Sequence, residues 1–185
     1  EFVSPGAVQI GETIQAHVPS LVLRTSGGYE GAERVKLAFV SVDYDGPVDF
    51  GITACKLSWD DRYRLLGHRD VLGSLMSLGI DRGRFGDIIM QDAGAVLLAE
   101  TPLVPYLQQN FTKIAMVPIT IEEIPLSDIA PRQEKVKEIK TTVASLRLDA
   151  IVSSGFGISR TKAADAVKGE RVQVNWQPAK GPSQE

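Results

Sequence analysis

The sequence predicts an α+β fold: a sheet with helices packed on one face, followed by a much smaller helical domain. Three observations predict it. Short apolar stretches bounded by turn residues recur along 35–124, as strands do. Between them lie two segments with apolar residues at three- and four-residue spacing, the period of helices. After residue 145 the pattern changes to two short amphipathic helices and one strand. The order over 35–125 is ββαββαβ, which suits an antiparallel sheet covered by helices on one side.

The elements follow in order. Residues 1–34 are rich in Gly and Pro, with a short strand expected at Leu21-Val22-Leu23 and a glycine loop at Ser26-Gly27-Gly28-Tyr29-Glu30-Gly31. This stretch has little core of its own and is expected to be the remnant of an N-terminal region. Residues 35–43, with Val35, Leu37 and Phe39 on one face, predict a strand. Asp45-Gly46-Pro47 then turns the chain into a second strand over 48–56, making a hairpin. Ser58-Trp59-Asp60-Asp61 resembles a capping box and predicts a helix carrying Leu65, Leu66, Val71, Leu72, Leu75, Met76 and Leu78, ending near Gly79. Residues 87–91 and 95–100 flank Asp92-Ala93-Gly94, a second hairpin signal. Thr101-Pro102 reads as N-cap and first helical residue of a helix to about Phe111, and 114–124 as the last strand.

Residues 126–144 predict a charged linker, because Pro125 and Pro131 break the pattern and 132–140 alternate in charge. Beyond it, Leu146, Leu148, Ile151 and Val152 mark a short helix ended by Gly155 and Gly157. Ser159 caps a second helix to about Lys168, and Arg171 to Asn175 reads as a strand with Val172 and Val174 on one face. The domains are therefore expected at 35–125 and 145–185.

Composition narrows the function. Of 185 residues, 43% are hydrophobic and 23% charged, which fits neither a disordered tail nor a membrane protein. No apolar run reaches the 18 or so residues of a spanning helix. Glu1-Phe2-Val3-Ser4-Pro5 shows no basic and apolar signal-peptide pattern. A start without Met suggests a processed or shortened form. The single Cys55 forbids an intrachain disulfide, and one Cys with two His falls short of a four-ligand zinc site, so no metal or cofactor is expected. The formal net charge is −3. From 141 to 185, however, six basic residues meet four acidic ones, giving +2, and the remainder carries −5. A basic end on an acidic body points to a polyanion partner there.

Arg147, Arg160, Lys162, Lys168 and Arg171 are the candidate anion ligands, with Ser159 at a helix start and Asn175 adding an amide. Arg suits phosphate because its planar fork bonds two oxygens at once. A solvated surface explains the same five cations equally well on composition alone. Asp149 reads as a cap or ion-pair partner. Arg69, Arg82 and Arg84 offer a second surface for the same polyanion, or else partners for Asp70, Asp81 and Asp87. Trp59 and Tyr63 either stack on a base or, more simply, cover the core. His68-Arg69-Asp70 imitates a kinase triplet, but Leu75 stands where the Asn belongs and no Asp-Phe-Gly follows. Gly155-Phe156-Gly157 lacks the third glycine of a dinucleotide loop and follows a helix. Cys55 reads as a small core residue, and His17 carries no signal.

Three ordered segments resemble the alpha-L RNA-binding motif of the S-four (S4) domain. They are Ser145-Leu146-Arg147-Leu148-Asp149-Ala150, Ile158-Ser159-Arg160-Thr161-Lys162-Ala163 and Gly169-Glu170-Arg171-Val172-Gln173-Val174-Asn175. Upstream, Gly27-Gly28-Tyr29 with Ala32-Glu33-Arg34 is similar to the YlmH-like family and its photosystem II S-four relatives. So is His68 through Met76 followed by Leu78-Gly79-Ile80, Arg82 and Gly86-Asp87-Ile88. Val174-Asn175-Trp176 leans toward the photosystem group. The resemblance implies an RRM-like middle domain and a small S4 domain, here expected to be truncated at its C-terminus. It implies a non-catalytic, ribosome-associated protein binding rRNA or tRNA on the large subunit, in translation or the rescue of stalled nascent chains. No DNA partner is expected, and the location is cytoplasmic, or plastid stroma for a plant or alga. The aromatic signature of an RNA-stacking RRM sheet is missing, so stacking on that sheet is not expected. Two alternatives stay open: an RNA-modifying enzyme of the pseudouridine synthase or methyltransferase kind, and a protein-interaction adaptor. Arg160→Glu with Lys162→Glu is expected to abolish association with ribosomal particles at nearly unchanged stability.

Overall fold

The computed structural model describes residues 1–60, 62, 65–92, 94–130, 138–169, 171–174 and 177–184. The chain divides into two compact units, Glu1–Gln133 and Glu134–Glu185. Among the described residues, no helix is long and apolar enough to cross a membrane.

The first unit begins with a helix, α1 (Pro5–His17), where the sequence suggested a Gly/Pro-rich connection. Pro5 stands in its first turn, where a missing N–H costs nothing and the fixed φ is already helical. His17 ends this helix, its Nδ1 2.7 Å from the Thr13 carbonyl. Strands β1 (Leu21–Ser26) and β2 (Lys36–Ser41) then pair antiparallel, Leu23 opposite Phe39. The expected hairpin between 35–43 and 48–56 is therefore not formed. The reason lies in β3 (Ile52–Trp59), whose two backbone edges are both taken, by β5 and by β7. No edge remains for β2.

The main sheet also contains β4 (Phe85–Gln91), β5 (Gly94–Glu100), β6 (Lys113–Ile114) and β7 (Val117–Ile124), in the order β4-β5-β3-β7-β6. Helix α2 (His68–Ser77) joins β3 to β4, and α3 (Val104–Asn110) follows β5. Apart from short β6, the connectivity is βαββαβ with the first strand central, an RRM-like arrangement. Helix α2 starts nine residues after Trp59, not at Ser58. Ser58 and Trp59 are still strand, paired with Thr120 and Ile119. The helix is opened instead by Gly67, whose N–H donates to the Asp70 carboxylate at 2.9 Å. Residues Thr101–Leu103 form a 3-10 turn before α3, so the helix begins three residues later than Thr101 suggests.

Both faces of the sheet are apolar. On one, Cys55, Leu57, Leu97 and Ala99 meet Val71 and Leu75 of α2 and Val104 and Leu107 of α3. On the other, Ala54, Val96 and Leu98 meet Phe2, with Tyr29, Ile52, Ile89, Ile124 and Ile129 packed around them. Strand β5 is buried along Gly94–Ala99, as a strand covered on both sides must be. Gly28 makes the close approach: its φ is +91, and an added Cβ would stand 2.9 Å from Leu98 and 3.0 Å from Ile52. Phe2, Gly28 and Tyr29 thus supply cover for the second sheet face. Asp87 fastens that cover, accepting from the Tyr29 hydroxyl at 2.8 Å and from the Glu33 and Arg34 backbone N–H groups at 2.8 and 3.0 Å.

The second unit holds α4 (Leu148–Phe156) and α5 (Arg160–Lys168), packed on each other, and the short antiparallel pair β8 (Gln173–Val174) and β9 (Gln177–Pro178). Val152, Ala163 and Val167 form the buried side of the two helices. The end of the chain returns to α4: Leu148 and Asp149 donate their backbone N–H groups to the Gln184 and Pro182 carbonyls at 2.7 and 3.0 Å. The charged segment 132–137 and Asn175 lie outside the described residues.

Candidate nucleic-acid interface

The second unit builds its site on a helical hairpin. Helix α4 ends at Gly157, a left-handed cap with φ +62 and ψ +34 that an L side chain would strain. Ser153 then pins the link: it accepts the Ile158 N–H on its carbonyl at 3.1 Å, and its hydroxyl donates to the Ile158 carbonyl at 2.6 Å. Ser159 opens α5, its Oγ accepting from the Lys162 N–H at 3.3 Å. The sequence signal for this cap was the Ser followed by helical spacing, and the geometry agrees with it.

Asp149 organises the arginines. It is the one buried polar or charged residue among those described, its side chain 7% exposed. Arg147 reaches its Oδ2 at 2.9 Å, and Arg160 reaches its Oδ1 at 3.1 Å. The carboxylate therefore joins the residue before α4 to the first residue of α5. Hydrogen bonds from Arg147, helped by Arg160 and opposed by burial, pull the Asp149 carboxyl down to about 2. Each guanidinium spends part of its donor fork inward, while 39% of the Arg147 side chain and 56% of the Arg160 side chain face solvent.

Lys162, Lys168 and Arg171 are exposed, and none has an ion-pair partner among the described residues. The five cations do not ring one point. Arg147, Arg160 and Lys162 gather at the start of α5. Lys168 stands at its far end, eight residues or about 12 Å along the axis. Arg171 sits there too, its N–H on the Ala166 carbonyl. Ion pairing also changes the expectation for Arg160→Glu. A carboxylate there would face Asp149, so that substitution costs stability as well as charge.

The proposed second surface comes apart. Arg82 turns inward, donating to the Phe85 and Gly86 carbonyls at 2.6 and 3.2 Å, with its guanidinium 4.4 Å from the Phe85 ring centroid. Burial, with Arg34 beside it, pulls its guanidinium down to about 10. Arg84 binds Glu100 at 3.0 Å, and Lys36 holds the same carboxylate at 3.4 Å. Burial opposes ionisation of Glu100, but Arg84 and Lys36 outweigh it and keep the carboxyl below its ordinary range. The expected partners are used otherwise: Asp70 caps α2, Asp81 accepts the Gly83 N–H, and Asp87 holds the 29–34 loop. Only Arg69 of the three arginines is exposed. Trp59 packs beside the helix-side core, while Tyr63 lies outside the described residues. Cys55 is buried, its thiol pushed up to about 11 by burial and by Glu123. No cluster of His, Cys, Asp or Glu suited to a metal occurs among the described residues.

The sequence reading missed the pairing of both arginines with one carboxylate. The signal was present as Arg147-Leu148-Asp149, but nothing in the spacing tied Arg160 to it.

The two units carry two domains. A family described as "Putative RNA-binding domain in YlmH" matches residues 46–128, and the S4 domain matches 146–185. The chain carries both domains and is similar to the YlmH-like S4-domain proteins. Among its relatives is the ribosome-associated protein quality control protein P2 of Bacillus subtilis, 34% identical over 163 residues. That alignment takes in 87% of this chain and 63% of the relative, so the YlmH-like chain spans less than two thirds of that protein's length. Among solved structures, the cell division protein ylmH from Streptococcus pneumoniae superposes with a TM-score of 0.57 at 25% identity, over 69% of this chain and 78% of that one.

Proposed function

We propose that this YlmH-like chain is a non-catalytic RNA-binding protein of the ribosome, engaging rRNA or tRNA on the large subunit during rescue of stalled nascent chains. The observation that carries the reading is the Arg147–Asp149–Arg160 bridge. A buried carboxylate fixes two guanidiniums at the start of a helix, and 56% of the Arg160 side chain stays open to a phosphate oxygen. Held arginines lose less side-chain freedom on binding than free ones. Ser159, Lys162, Lys168 and Arg171 extend the contact along the unit, and Asn175, outside the described residues, is proposed as a further ligand by its sequence alone. That the Bacillus subtilis relative is a ribosome-associated quality control protein supports the process, and the match to an RNA-binding domain supports RNA as the polymer.

The first unit contributes differently. Its sheet face is filled by Phe2, Gly28 and Tyr29, so RNA reaches this unit from the helices or loops, where Arg69 is exposed. Counting Asp149 against the five cations leaves a net charge of +4 on the proposed surface. The logarithm of affinity should then fall with log salt at a slope of roughly −3.

Crosslinking the protein to RNA in cells and sequencing the attached fragments tests the reading. Enrichment of large-subunit rRNA or tRNA is expected. Crosslinks spread evenly over messenger RNA would contradict it. A modified nucleotide that disappears when the gene is deleted would favour catalysis instead.

A further inference from the structure

We propose that Phe156 is a stacking surface for an unpaired nucleobase of the RNA held by Arg147 and Arg160. The proposal deepens the RNA-binding reading and rests on it.

Phe156 is the last residue of α4, and 76% of it is exposed. A ring left in water on a small domain forfeits the burial that the hydrophobic effect would reward. Its mounting is rigid. The residue belongs to the final helical turn, Gly157 caps that turn, and Ser153 clamps Ile158 from both sides. A ring on such a base loses little freedom when a flat ligand covers it.

Its surroundings identify the ligand. The exposed neighbours in sequence are Ser154, Gly157 and Ser159, and the one large apolar neighbour, Ile158, is half-buried and tied to Ser153. Arg160 follows four residues later, at most about 14 Å of extended chain away. Ile151, also exposed, is five positions earlier, about 140° around the helix, and so on another face. Leu146 precedes the helix altogether. A protein partner would call for a contiguous apolar patch, whereas Phe156 and Ile151 lie on different faces of α4 and Phe156 is followed four residues later by Arg160. A base presents a flat π surface while its phosphates stay within reach of the arginines. Unstacked bases in loops and bulges are the parts of RNA that aromatic side chains take up.

The test compares the full chain with Phe156→Ala, Phe156→Leu and Phe156→Trp on two probes: a fluorescently labelled RNA stem-loop and a fully paired duplex of the same stem. Phe156→Ala should weaken binding to the stem-loop about 10-fold, the scale of one base on one aromatic. Duplex affinity and the salt slope should not change, and melting temperature should not move. Phe156→Trp should bind as the original or better, and Phe156→Leu should fail like alanine. Equal binding of all variants to the stem-loop would overturn the proposal. So would full activity of Phe156→Leu, which keeps apolar area without a π face, or loss of ribosome co-sedimentation with RNA affinity intact. If the unaltered chain binds neither probe at low salt, the RNA-binding reading itself fails, and this proposal with it.

Discussion

Arg82 and Arg160 carry the same side chain and opposite roles. Arg82 folds back over Phe85 onto two backbone carbonyls, in a site that burial and Arg34 make unfavourable for its charge. Arg160 meets one carboxylate, with 56% of its side chain in solvent. The units around them differ in the same way. The first directs its polar groups into fastening a cover over an apolar sheet, through Asp87 and Glu100. The second has little core to protect and uses the buried Asp149 carboxylate to hold cations at the surface. The position of an arginine in a sequence therefore says less about RNA than the acceptor that claims it.

The sharpest way to break this comparison is to ask whether the second sheet face is a core. Leu98→Ala should destabilise the first unit by about 2–5 kcal/mol in urea unfolding, the usual range for emptying a buried leucine site. Leu97→Ala, on the helix side, should cost a similar amount. An open RNA-binding face would instead leave Leu98→Ala close to neutral. Gly28→Ala should cost about 1–3 kcal/mol, through its positive φ and the approach of Leu98 and Ile52. An unchanged denaturation midpoint would show that the cover yields.

Smaller effects sharpen the account of the second unit. The Asp149 carboxyl is depressed to about 2 in the folded chain, against about 4 when unfolded. Its stabilising contribution is complete above about pH 4 and disappears as pH falls from there to about 2. Amide exchange in α4 and α5 should therefore quicken over that window. Asp149→Asn should remove the dependence, and a persistent transition in that variant would assign it to another group. Lys162→Ala should leave stability unchanged and make the salt slope of RNA binding shallower by roughly 0.7–0.9.

Much of this was legible in the residues. Ser159 followed by helical spacing marks α5, Gly157 marks the end of α4, and Asp92-Ala93-Gly94 lies between β4 and β5. Local chemistry decides such features, so a local reading finds them. The hairpin to β2, the capping box at Ser58 and the packing of Gly28 on the sheet escape a local reading for one shared reason. Each is settled by a distant strand or side chain: β7 beside β3, Ile119 opposite Trp59, Leu98 beneath Gly28. The proposed RNA surface is legible as a set of cations, but not as the arrangement that Asp149 imposes.

The central claim is that the cations fixed at the start of α5 carry the RNA affinity. Its most direct test is the salt dependence of binding of the full chain to purified large-subunit rRNA, with and without Arg160→Ala and Lys162→Ala combined. The slope should become shallower by roughly 1.4–1.8, with affinity lost at every salt concentration. An unchanged slope, or an equal change produced by Arg69→Ala alone, would contradict it.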